Sequence, residues 1–248
     1  MTLQNNTVLI TGGSSGIGFE LAKQLTKQDN RVLICGRSID KLEKAKRLLP
    51  DIHYLQCDIS RADECNKLAS WIHNEHPDCN ILINNAAIVH TDHFFEDDYI
   101  LEKANTEVQT KLMGPIRLSK LFIPILQKNK RARIINITTG LVYVPRATYP
   151  FYNATKAALH SFTQVLRSQL NSSPIDVIEV LFPAVDTPWH KGNPPAIAIS
   201  TEEAVQGMLT GLKKGKEEIR VGKVKLLYLL SRIAPNFAFK KLNSLANR

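Results

Sequence analysis

The chain has 248 residues, of which 44% are hydrophobic and 22% are charged, a balance typical of an ordinary globular protein. A chain of this length buries about 70–75% of the surface that it would expose unfolded, so it needs no metal or disulfide to form a core. This composition excludes a disordered, collagen-like or disulfide-stapled protein. The four cysteines form no CxxC pair, which favours reduced thiols and a cytoplasmic location.

We expect neither a secretion signal nor a membrane span. The N-terminus enters an apolar, strand-like run without a basic segment or a small-residue cleavage site. The longest apolar run near the C-terminus, Leu226 to Leu230, is far shorter than the roughly 20 residues that span a bilayer.

The formal net charge of +9 is unevenly distributed. Residues 1–212 carry 22 basic and 21 acidic groups, whereas residues 213–248 carry ten Lys or Arg and only two acids, Glu217 and Glu218. The body of the chain is therefore nearly neutral and its C-terminal part is basic.

Seven short aliphatic or β-branched runs alternate with longer amphipathic segments. Their near-continuous apolar character is typical of parallel strands that helices cover on both faces. The alternation runs without a linker or repeat to about Gly222, which predicts one α/β domain over residues 1–222 with residues 223–248 as its extension. The predicted strands are Thr7–Thr11, Arg31–Cys35, His53–Gln56, Ile81–Asn84, Arg133–Ile137, Asp176–Leu181 and Ile219–Val221.

The first predicted strand leads into the glycine-rich turn TGGSSGIG at residues 11–18, and a predicted helix follows. Gly12 allows a tight turn, Gly16 lets the backbone approach phosphate, and Gly18 lets the helix pack closely on the sheet. A helix that begins here is suited to bind a dinucleotide pyrophosphate; the alternative is a plain glycine-rich turn. Ser14, Ser15 and Ile17 complete the predicted phosphate-binding turn.

The second predicted strand ends in Cys35-Gly36-Arg37-Ser38, without an acid at its tip. A carboxylate there would bind the ribose hydroxyls of NAD, whereas a guanidinium pairs with the 2′-phosphate of NADP. Arg37 and Ser38 therefore predict a preference for NADP over NAD, unless Arg37 is an ordinary solvated arginine. Asp58, after the third strand, is a candidate acceptor for the adenine amino group or an ordinary helix N-cap.

Tyr152 and Lys156 lie four residues apart, which places a phenol and an ammonium on one face of a helix. The lysine charge favours phenolate, so Tyr152 is expected to exchange a proton near neutral pH. This spacing alone is a weak signal, because Tyr99 and Lys103 also have it. A hydroxyl at a strand end, Thr139, precedes Tyr152, whereas no hydroxyl occupies the same offset before Tyr99.

Taken together, these motifs resemble those of the short-chain dehydrogenase/reductase family, and the resemblance extends from residue 7 to about residue 222. The matching pieces are TGGSSGIG at 11–18, Asp58, Asn84-Asn85-Ala86, Ile134–Ile137, YNATK at 152–156 and Val185-Asp186-Thr187. Within the family, the sequence looks like the branch related to an oxidoreductase encoded beside lipoteichoic acid D-alanylation genes.

The resemblance implies a Rossmann-like, doubly wound parallel sheet of about seven strands flanked by helices. It also implies hydride transfer between nicotinamide C4 and a carbonyl carbon, with Tyr152 as acid or base and Thr139 bonding the substrate oxygen. Lys156 would modulate Tyr152 and bond the nicotinamide ribose, and dimers or tetramers are expected. Further implied cofactor contacts are Ile59, Asn85, Ala86, Pro183, Val185 and Thr187.

Four positions depart from the family pattern. Thr139 replaces the usual Ser, Ala87 replaces a Gly, and Phe182-Pro183 replaces Pro-Gly. In the fourth departure, Lys111 stands where the family has a catalytic Asn that holds a water linking the active Lys to solvent.

A cation at position 111 is expected to lower the pKa of Lys156 by like-charge repulsion and to interrupt the proton relay. Asn105 is out of register by more than a helical turn and cannot substitute. One hypothesis is therefore that Lys111 slows or retunes catalysis. The other is that Lys111 snorkels to water, so that only its backbone matters.

Two HxxH pairs, His73 with His76 and His90 with His93, lack a third ligand, so no metal is predicted. The predicted substrate wall consists of Leu141–Pro145, Tyr149, Trp189 and His190. It is mostly apolar and favours a hydrophobic ketone or aldehyde, although these residues could instead be lid or subunit contacts.

The extension at 223–248 combines apolar residues with Lys223, Lys225, Arg232, Lys240, Lys241 and Arg248 and contains no acid. Such a segment can lie on an anionic membrane. The alternative is that it packs on a neighbouring subunit or closes over the substrate site. Nucleic acid is not an expected partner, because the cations are interleaved with aliphatic residues and match no reader motif.

The sequence therefore predicts a cytoplasmic, NADPH-dependent oxidoreductase that acts on a small-molecule carbonyl or alcohol. The sequence also allows a membrane-peripheral location, in which the extension contacts the membrane surface. The alternative function is a weakly active or non-catalytic NADP(H)-binding protein that docks on a membrane or partner through its basic tail.

Overall fold

The computed structural model describes residues 3–91, 93–190 and 192–244. Within these residues, seven parallel strands form one sheet in the order β3-β2-β1-β4-β5-β6-β7. The strands are β1 (Thr7–Thr11), β2 (Arg31–Gly36), β3 (His53–Gln56), β4 (Cys79–Asn84), β5 (Ala132–Thr139), β6 (Ile175–Phe182) and β7 (Glu218–Arg220).

Helices connect the strands and cover both faces of the sheet. They are α1 (Gly16–Thr26), α2 (Ile39–Leu48), α3 (Ala62–Glu75), α4 (Ile100–Val108), α5 (Gly114–Leu126), α6 (Pro150–Gln169), α7 (Thr201–Lys213), α8 (Val224–Ile233) and α9 (Pro235–Ser244). Alternate residues of β1 enter opposite layers of the core: Val8 and Ile10 join one hydrophobic cluster and Leu9 joins the other. The α/β, Rossmann-like prediction is therefore confirmed.

The strand order reverses between β1 and β4, because the chain builds outward to β3 and then returns to the other side of β1. In a doubly wound sheet, the loops on either side of such a switch point diverge and leave a crevice at the carboxyl ends of the strands. The glycine-rich turn after β1 and the Asn85-Ala86 segment after β4 both lie at this crevice.

The structure corrects several predicted strand limits. Strands β5 and β6 pair along eight residues, from Ala132 with Ile175 to Thr139 with Phe182. The added ladder carries β5 to Thr139, so the Thr139 hydroxyl is held at the carboxyl end of a strand that is buried throughout. At the other edge, β7 ends at Arg220, one residue before the predicted limit.

Helices α8 and α9 follow β7, and the last four residues of the predicted extension, 245–248, lie outside the described residues. In the part of the chain that the structure describes, no helix has the length and apolar character needed to cross a bilayer. The four cysteines, Cys35, Cys57, Cys65 and Cys79, are buried free thiols.

Candidate active site

A cavity of about 660 Å³ opens at the carboxyl ends of the strands. The glycine-rich turn lines one end, and Thr139, Tyr152 and Lys156 line the other. The predicted dinucleotide site and the predicted catalytic side chains are thus parts of a single crevice.

The geometry of the turn after β1 fits a bound dinucleotide. Gly12 and Gly16 have φ of +66° and +53°, in the left-handed region that favours glycine. A Cβ at Gly12 would lie 2.9 Å from Ala86 Cα, and a Cβ at Gly18 would lie 2.2 Å from the Gly12 carbonyl oxygen. Any side chain here would fill the cradle or push α1 away from the turn, so the glycines keep backbone N–H groups accessible to phosphate.

Hydrogen bonds between Thr11 and the segment after β4 hold this turn in place. The Thr11 hydroxyl accepts from the backbone N–H groups of Asn85 and Ala86, each at 3.0 Å. The Asn85 side-chain amide donates to the Thr11 carbonyl oxygen at 3.0 Å. Asn85 and Ala86 both line the cavity, but the Asn85 amide supports the turn.

Two cations, Arg37 and Lys41, line the cavity beyond the turn. Arg37 is exposed after β2, and Lys41 lies in the first turn of α2 and was not foreseen from the sequence. Ser38 lines the cavity too, and its hydroxyl caps α2 by accepting from the Lys41 N–H at 3.4 Å.

Asp58 lines the same end of the cavity and is the one acidic residue among its described lining residues. The Asp58 carboxylate accepts from the Ser60 N–H at 2.9 Å. Because α3 begins only at Ala62, with Arg61 as its cap residue, the N-cap alternative for Asp58 is wrong.

The loop after β6 covers the glycine-rich turn. Thr187 lies so close to Gly16 that a Cβ on that glycine would approach the Thr187 methyl carbon to 3.3 Å. Val185 is buried and forms a bridge with Ile199, which anchors the loop. The remaining predicted contacts, Ile59 and Pro183, also line the cavity.

Strand β5 and helix α6 position the three polar side chains at the other end. Thr139 ends β5, and Tyr152 and Lys156 lie one turn apart on α6. The Thr139 hydroxyl donates to the Phe182 carbonyl oxygen at 3.3 Å and accepts from the Leu141 N–H at 3.3 Å. The buried Lys156 ammonium donates to the Ile137 carbonyl oxygen at 2.6 Å.

Burial sets the protonation of Tyr152. It raises the Tyr152 pKa to about 12, against the lowering effect of the neighbouring Thr139 hydroxyl. The expectation that Lys156 brings this phenol near neutrality is therefore wrong for the cofactor-free chain. The reason is that the Lys156 ammonium binds a carbonyl of β5, while loss of water disfavours the phenolate.

The pKa of Lys156 is lowered to about 7, first by burial and then by the positive charge of Lys111. The Glu179 carboxylate opposes this shift from the adjacent strand β6. The like-charge effect predicted for a cation at position 111 is thus confirmed in direction.

Lys111 lies behind the catalytic side chains and does not reach the cavity wall. It is completely buried, forms an ion pair with the equally buried Glu107, and places its ammonium 4.5 Å from the centroid of the Tyr152 ring. Burial lowers the Lys111 pKa to about 8, although the Glu107 carboxylate acts in the opposite direction. The snorkelling hypothesis is therefore wrong.

A π-helical turn, Gln109–Met113, joins α4 to α5 and contains Lys111. Such a turn inserts an extra residue into the helical path and is frequent at functional sites. Glu107 lies one turn earlier, on the buried side of α4. The Glu-x-x-x-Lys spacing was visible in the sequence, but burial of both charges was not.

His90 also binds Glu107. The Glu107 Oε1 atom accepts from the His90 backbone N–H at 2.6 Å and lies 3.0 Å from His90 Nδ1. Of the other HxxH residues, His76 packs edge-on against the rings of His53 and Trp71. No group of three potential metal ligands occurs in residues 3–91, 93–190 and 192–244.

The substrate wall only partly matches its prediction. Leu141, Tyr149, Trp189 and His190 line the cavity. The predicted run from Val142 to Pro145 does not, because it turns away from the cavity. Val144 packs inside the protein, and the Tyr143 hydroxyl bonds to Glu218 and Arg220.

Helices α8 and α9 supply the rest of this wall. One face of each helix therefore closes over the site, as one of the alternatives for the extension predicted. The cavity-lining residues of this part of the chain are Lys223, which precedes α8, and Val224, Leu226, Leu227, Leu230 and Leu242 of the two helices. Arg146 is also on the wall, stacked 5.4 Å from the Tyr149 ring centroid. Its Nε atom is buried without a hydrogen-bond partner among the described residues.

Known proteins are similar to this chain in fold and in sequence. The short chain dehydrogenase from Burkholderia cenocepacia J2315, solved in complex with NADP, has a TM-score of 0.86 and 24% identity and covers 98% of this chain and 99% of its own. A short chain dehydrogenase/reductase from Burkholderia phymatum, solved in complex with NAD, has a TM-score of 0.85 and 16% identity and covers 98% and 97%. Both show the fold.

The sequence comparisons show the family. The uncharacterized oxidoreductase DltE of Bacillus subtilis (strain 168) is 43% identical over 252 residues, which cover 100% of both chains. A family model described as short chain dehydrogenase matches residues 6–197. The chain therefore belongs to the short-chain dehydrogenase/reductase family and is an oxidoreductase of the DltE-like type.

Proposed function

We propose that the protein is an NADPH-dependent oxidoreductase that interconverts a carbonyl compound and its alcohol. The observation that carries this proposal is the cavity itself. It joins a glycine cradle for pyrophosphate to a hydroxyl, a phenol and an ammonium contributed by Thr139, Tyr152 and Lys156.

The residues present fit a nicotinamide dinucleotide. The turn around Gly12 and Gly16 would hold the pyrophosphate at the start of α1, and Thr187 would close over it. The bound nicotinamide supplies the hydride in reduction and accepts it in oxidation.

The protein side chains would handle the proton. In reduction, Thr139 donates a hydrogen bond to the substrate oxygen and orients it toward Tyr152. Tyr152 then gives its hydroxyl proton to that oxygen, a role that suits a phenol kept protonated by burial. Lys156, when protonated, stabilises the phenolate that this step leaves behind.

The charges beyond the glycine turn support NADP over NAD. Arg37 and Lys41 both line that end, so two cations are available for a 2′-phosphate. No acid occupies the tip of β2, where a carboxylate would repel the phosphate and favour ribose hydroxyls.

The substrate that this wall suits best is a hydrophobic aldehyde or ketone with an acidic group. Aliphatic residues of α8 and α9 line the cavity together with Trp189 and would bury an apolar body. Arg146 adds a guanidinium whose buried Nε lacks a partner, and an anionic group on the substrate would provide one.

The proposal is tested by following NADPH oxidation with a panel of hydrophobic carbonyl compounds, with and without a carboxylate. The wild-type protein should turn over members of the panel, and Tyr152→Phe should lose activity at least a hundredfold while still binding NADPH. Tyr99→Phe is the matched control, because Tyr99 has the same spacing to a lysine but lies exposed outside the cavity. Cofactor binding without turnover in the wild type would contradict the proposal.

The outward surface of α8 and α9 favours a second property, peripheral contact with an anionic membrane. Four large apolar side chains that do not line the cavity are between 46% and 80% exposed there, and cations flank them without an intervening acid. Apolar groups ringed by lysine and arginine match a membrane surface in both hydrophobicity and charge. The four are Leu229, Ile233, Phe237 and Phe239.

In this proposal, residues 1–222 and the extension form one catalytic unit, since one face of α8 and α9 completes the cavity. A dimer or tetramer built on other surfaces is compatible with that arrangement.

A further inference from the structure

Asn243, in the last turn of α9, hydrogen-bonds to the loop between β5 and α6. Its Oδ1 atom accepts from the Ala147 N–H at 2.7 Å, and its Nδ2 group donates to the Pro145 carbonyl oxygen at 3.2 Å. The same Nδ2 group donates to the Phe239 carbonyl oxygen, one turn earlier on α9, at 2.9 Å. Because both ends of the amide are engaged, this side chain ties α9 to the loop on either side of Arg146.

A second asparagine holds the residue between these two contacts. The Asn153 Oδ1 atom accepts from the Arg146 N–H at 3.3 Å, and its Nδ2 group donates to the Arg146 carbonyl oxygen at 2.7 Å. That Nδ2 group also donates to the carbonyl oxygen of Tyr149, just before α6, at 2.6 Å. The backbone around Arg146 is therefore held by α6 on one side and by the extension on the other.

The Arg146 side chain lines the cavity close to the proposed proton donor. Its Cζ atom lies 5.4 Å from the Tyr149 ring centroid, and the Tyr149 and Tyr152 centroids are 6.1 Å apart. The Tyr149 ring also packs against Trp189, with 5.6 Å between the ring centroids. A cation is thus held one aromatic ring away from the phenol that would protonate the substrate oxygen.

The surroundings of Arg146 favour an anionic ligand. The Nε atom of Arg146 is buried without a hydrogen-bond partner among the described residues. The pKa of the neighbouring His190 is lowered, first by burial and also by the Arg146 charge, so the imidazole adds no second charge at neutral pH. Asp58, the one acid among the described lining residues, belongs to the end of the cavity beyond the glycine-rich turn.

We propose that Asn243 is a positioning residue that holds Arg146 in place to bind the acidic group of the substrate. Asn243 does not line the cavity itself and acts through the loop. This inference rests on the acid-bearing carbonyl substrate of the proposed function, and it makes the extension a determinant of which carbonyl compounds the site accepts.

A loop that is fixed before the substrate arrives binds an anion at lower entropic cost. Arginine has a long side chain, and immobilising it on binding reduces affinity unless its backbone and its ring contact already restrict it. This benefit applies to ligands that carry an acidic group. A contact that only stabilised the fold would act equally on charged and neutral ligands, so the two roles have different signatures.

The first test follows hydrogen exchange of the Ala147 amide by NMR in the cofactor-free protein. Asn243 is the partner of that amide among the described residues, so exchange in Asn243→Leu should be about tenfold faster or more. Asn236→Leu, at an exposed asparagine on the same helix, is the matched control and should leave the rate unchanged. Unchanged exchange in Asn243→Leu would show that Asn243 does not hold the loop, which would overturn the inference.

The second test compares binding of octanoate and octanol by calorimetry. The two probes share an apolar chain and differ in the anionic group. We expect the wild-type protein and Asn236→Leu to bind octanoate about tenfold more tightly than octanol, and Arg146→Met and Asn243→Leu to lose most of that preference. A variant with a generally loosened fold would lose affinity for octanol as well, which distinguishes that case.

Two results of the binding test would overturn the inference. In one, Asn243→Leu keeps the wild-type preference for octanoate while Arg146→Met loses it, which leaves an acid site that Asn243 does not position. In the other, the wild-type protein itself shows no preference, so there is no acid site to position.

The outcomes also separate this inference from the proposed function. A wild-type protein without turnover would remove the proposed function, while the octanoate preference would still decide whether Asn243 positions Arg146. If the protein reduces carbonyls, Asn243→Leu should raise KM about tenfold for substrates with a carboxylate and change kcat little. An equal rise in KM for neutral substrates would overturn the inference alone.

Discussion

The Lys111 ammonium lies over the Tyr152 ring, 4.5 Å from its centroid, while Tyr152 lines the cavity and Lys111 does not. A cation over an aromatic face is attracted to the ring and is held in place by that attraction. It also leaves two lysines, 111 and 156, close to one phenol in a buried region. The chain balances these charges with two carboxylates, Glu107 beside Lys111 and Glu179 beyond Lys156.

Replacement of Lys111 should change the pH dependence of catalysis. Lys156 has a pKa of about 7, partly because Lys111 repels its proton. Lys111→Asn removes that repulsion, so the Lys156 pKa should rise and Lys156 should stay protonated to higher pH. We expect the alkaline fall in kcat for reduction to move up by about one pH unit.

The pH profile of kcat measures this effect, and Lys120→Asn, an exposed lysine on the next helix, is the control. An unchanged profile in Lys111→Asn would mean that the charge at position 111 does not tune the pair.

Glu107 and Lys111 should contribute to the free energy of unfolding as a coupled pair. Lys111→Met leaves a buried carboxylate without its cation, which costs about 3 kcal/mol of the free energy of unfolding. The loss should be smaller at pH 5 than at pH 8, because protonation at lower pH removes the buried, unpaired charge.

Urea denaturation of Lys111→Met and of the double variant Glu107→Gln/Lys111→Met measures both effects. The double variant should recover most of the lost stability, since neither charge remains. If the loss in the double variant equals the sum of the losses in Glu107→Gln and Lys111→Met measured singly, the two residues are not a coupled pair.

Arg146 should determine selectivity for acidic substrates. Its buried Nε lacks a partner among the described residues, and a substrate carboxylate would provide one. Arg146→Met should raise KM about tenfold or more for carbonyl substrates with a carboxylate and leave KM of neutral analogues unchanged. Arg146→Lys keeps the charge, so its KM for carboxylate substrates should lie between the values of the wild type and of Arg146→Met. Equal changes for charged and neutral substrates would rule out this role.

The outward face of α8 and α9 should bind anionic vesicles. The wild-type protein should co-sediment with phosphatidylglycerol vesicles at low salt and not with phosphatidylcholine vesicles. The double variant Leu229→Glu/Ile233→Glu should lose this binding yet keep NADPH affinity, because neither side chain lines the cavity. Leu48→Glu, at another exposed leucine, is the control.

Absence of sedimentation would contradict the membrane contact. If the wild type instead forms a concentration-dependent dimer that the double variant abolishes, the surface binds a second copy of the chain.

Local sequence patterns predicted the fold and the glycine-rich turn, because these depend on short-range rules. The aliphatic runs identified the seven strands, and the glycine spacing identified a turn whose φ angles and close contacts require glycine. The four-residue spacing of Tyr152 and Lys156 placed both on one face of α6.

Features that depend on packing between distant segments could not be predicted in this way. Burial of Lys111 follows from a π-helical turn and from the packing of α4 against α6, neither of which leaves a sequence signature. The contact between His90 and Glu107 joins residues seventeen positions apart along the chain. The cavity-facing side of α8 likewise depends on its packing over Gly140, where a Cβ would meet Val224 at 3.1 Å.

Whether this cavity binds NADPH is decided most directly by calorimetric titration of the purified protein with NADPH and, separately, with NADH. Tight binding of NADPH, at least tenfold tighter than NADH, and loss of that preference in Arg37→Gln would agree with a glycine cradle completed by cations for the 2′-phosphate. Absence of binding for both nucleotides would contradict an oxidoreductase function for this site.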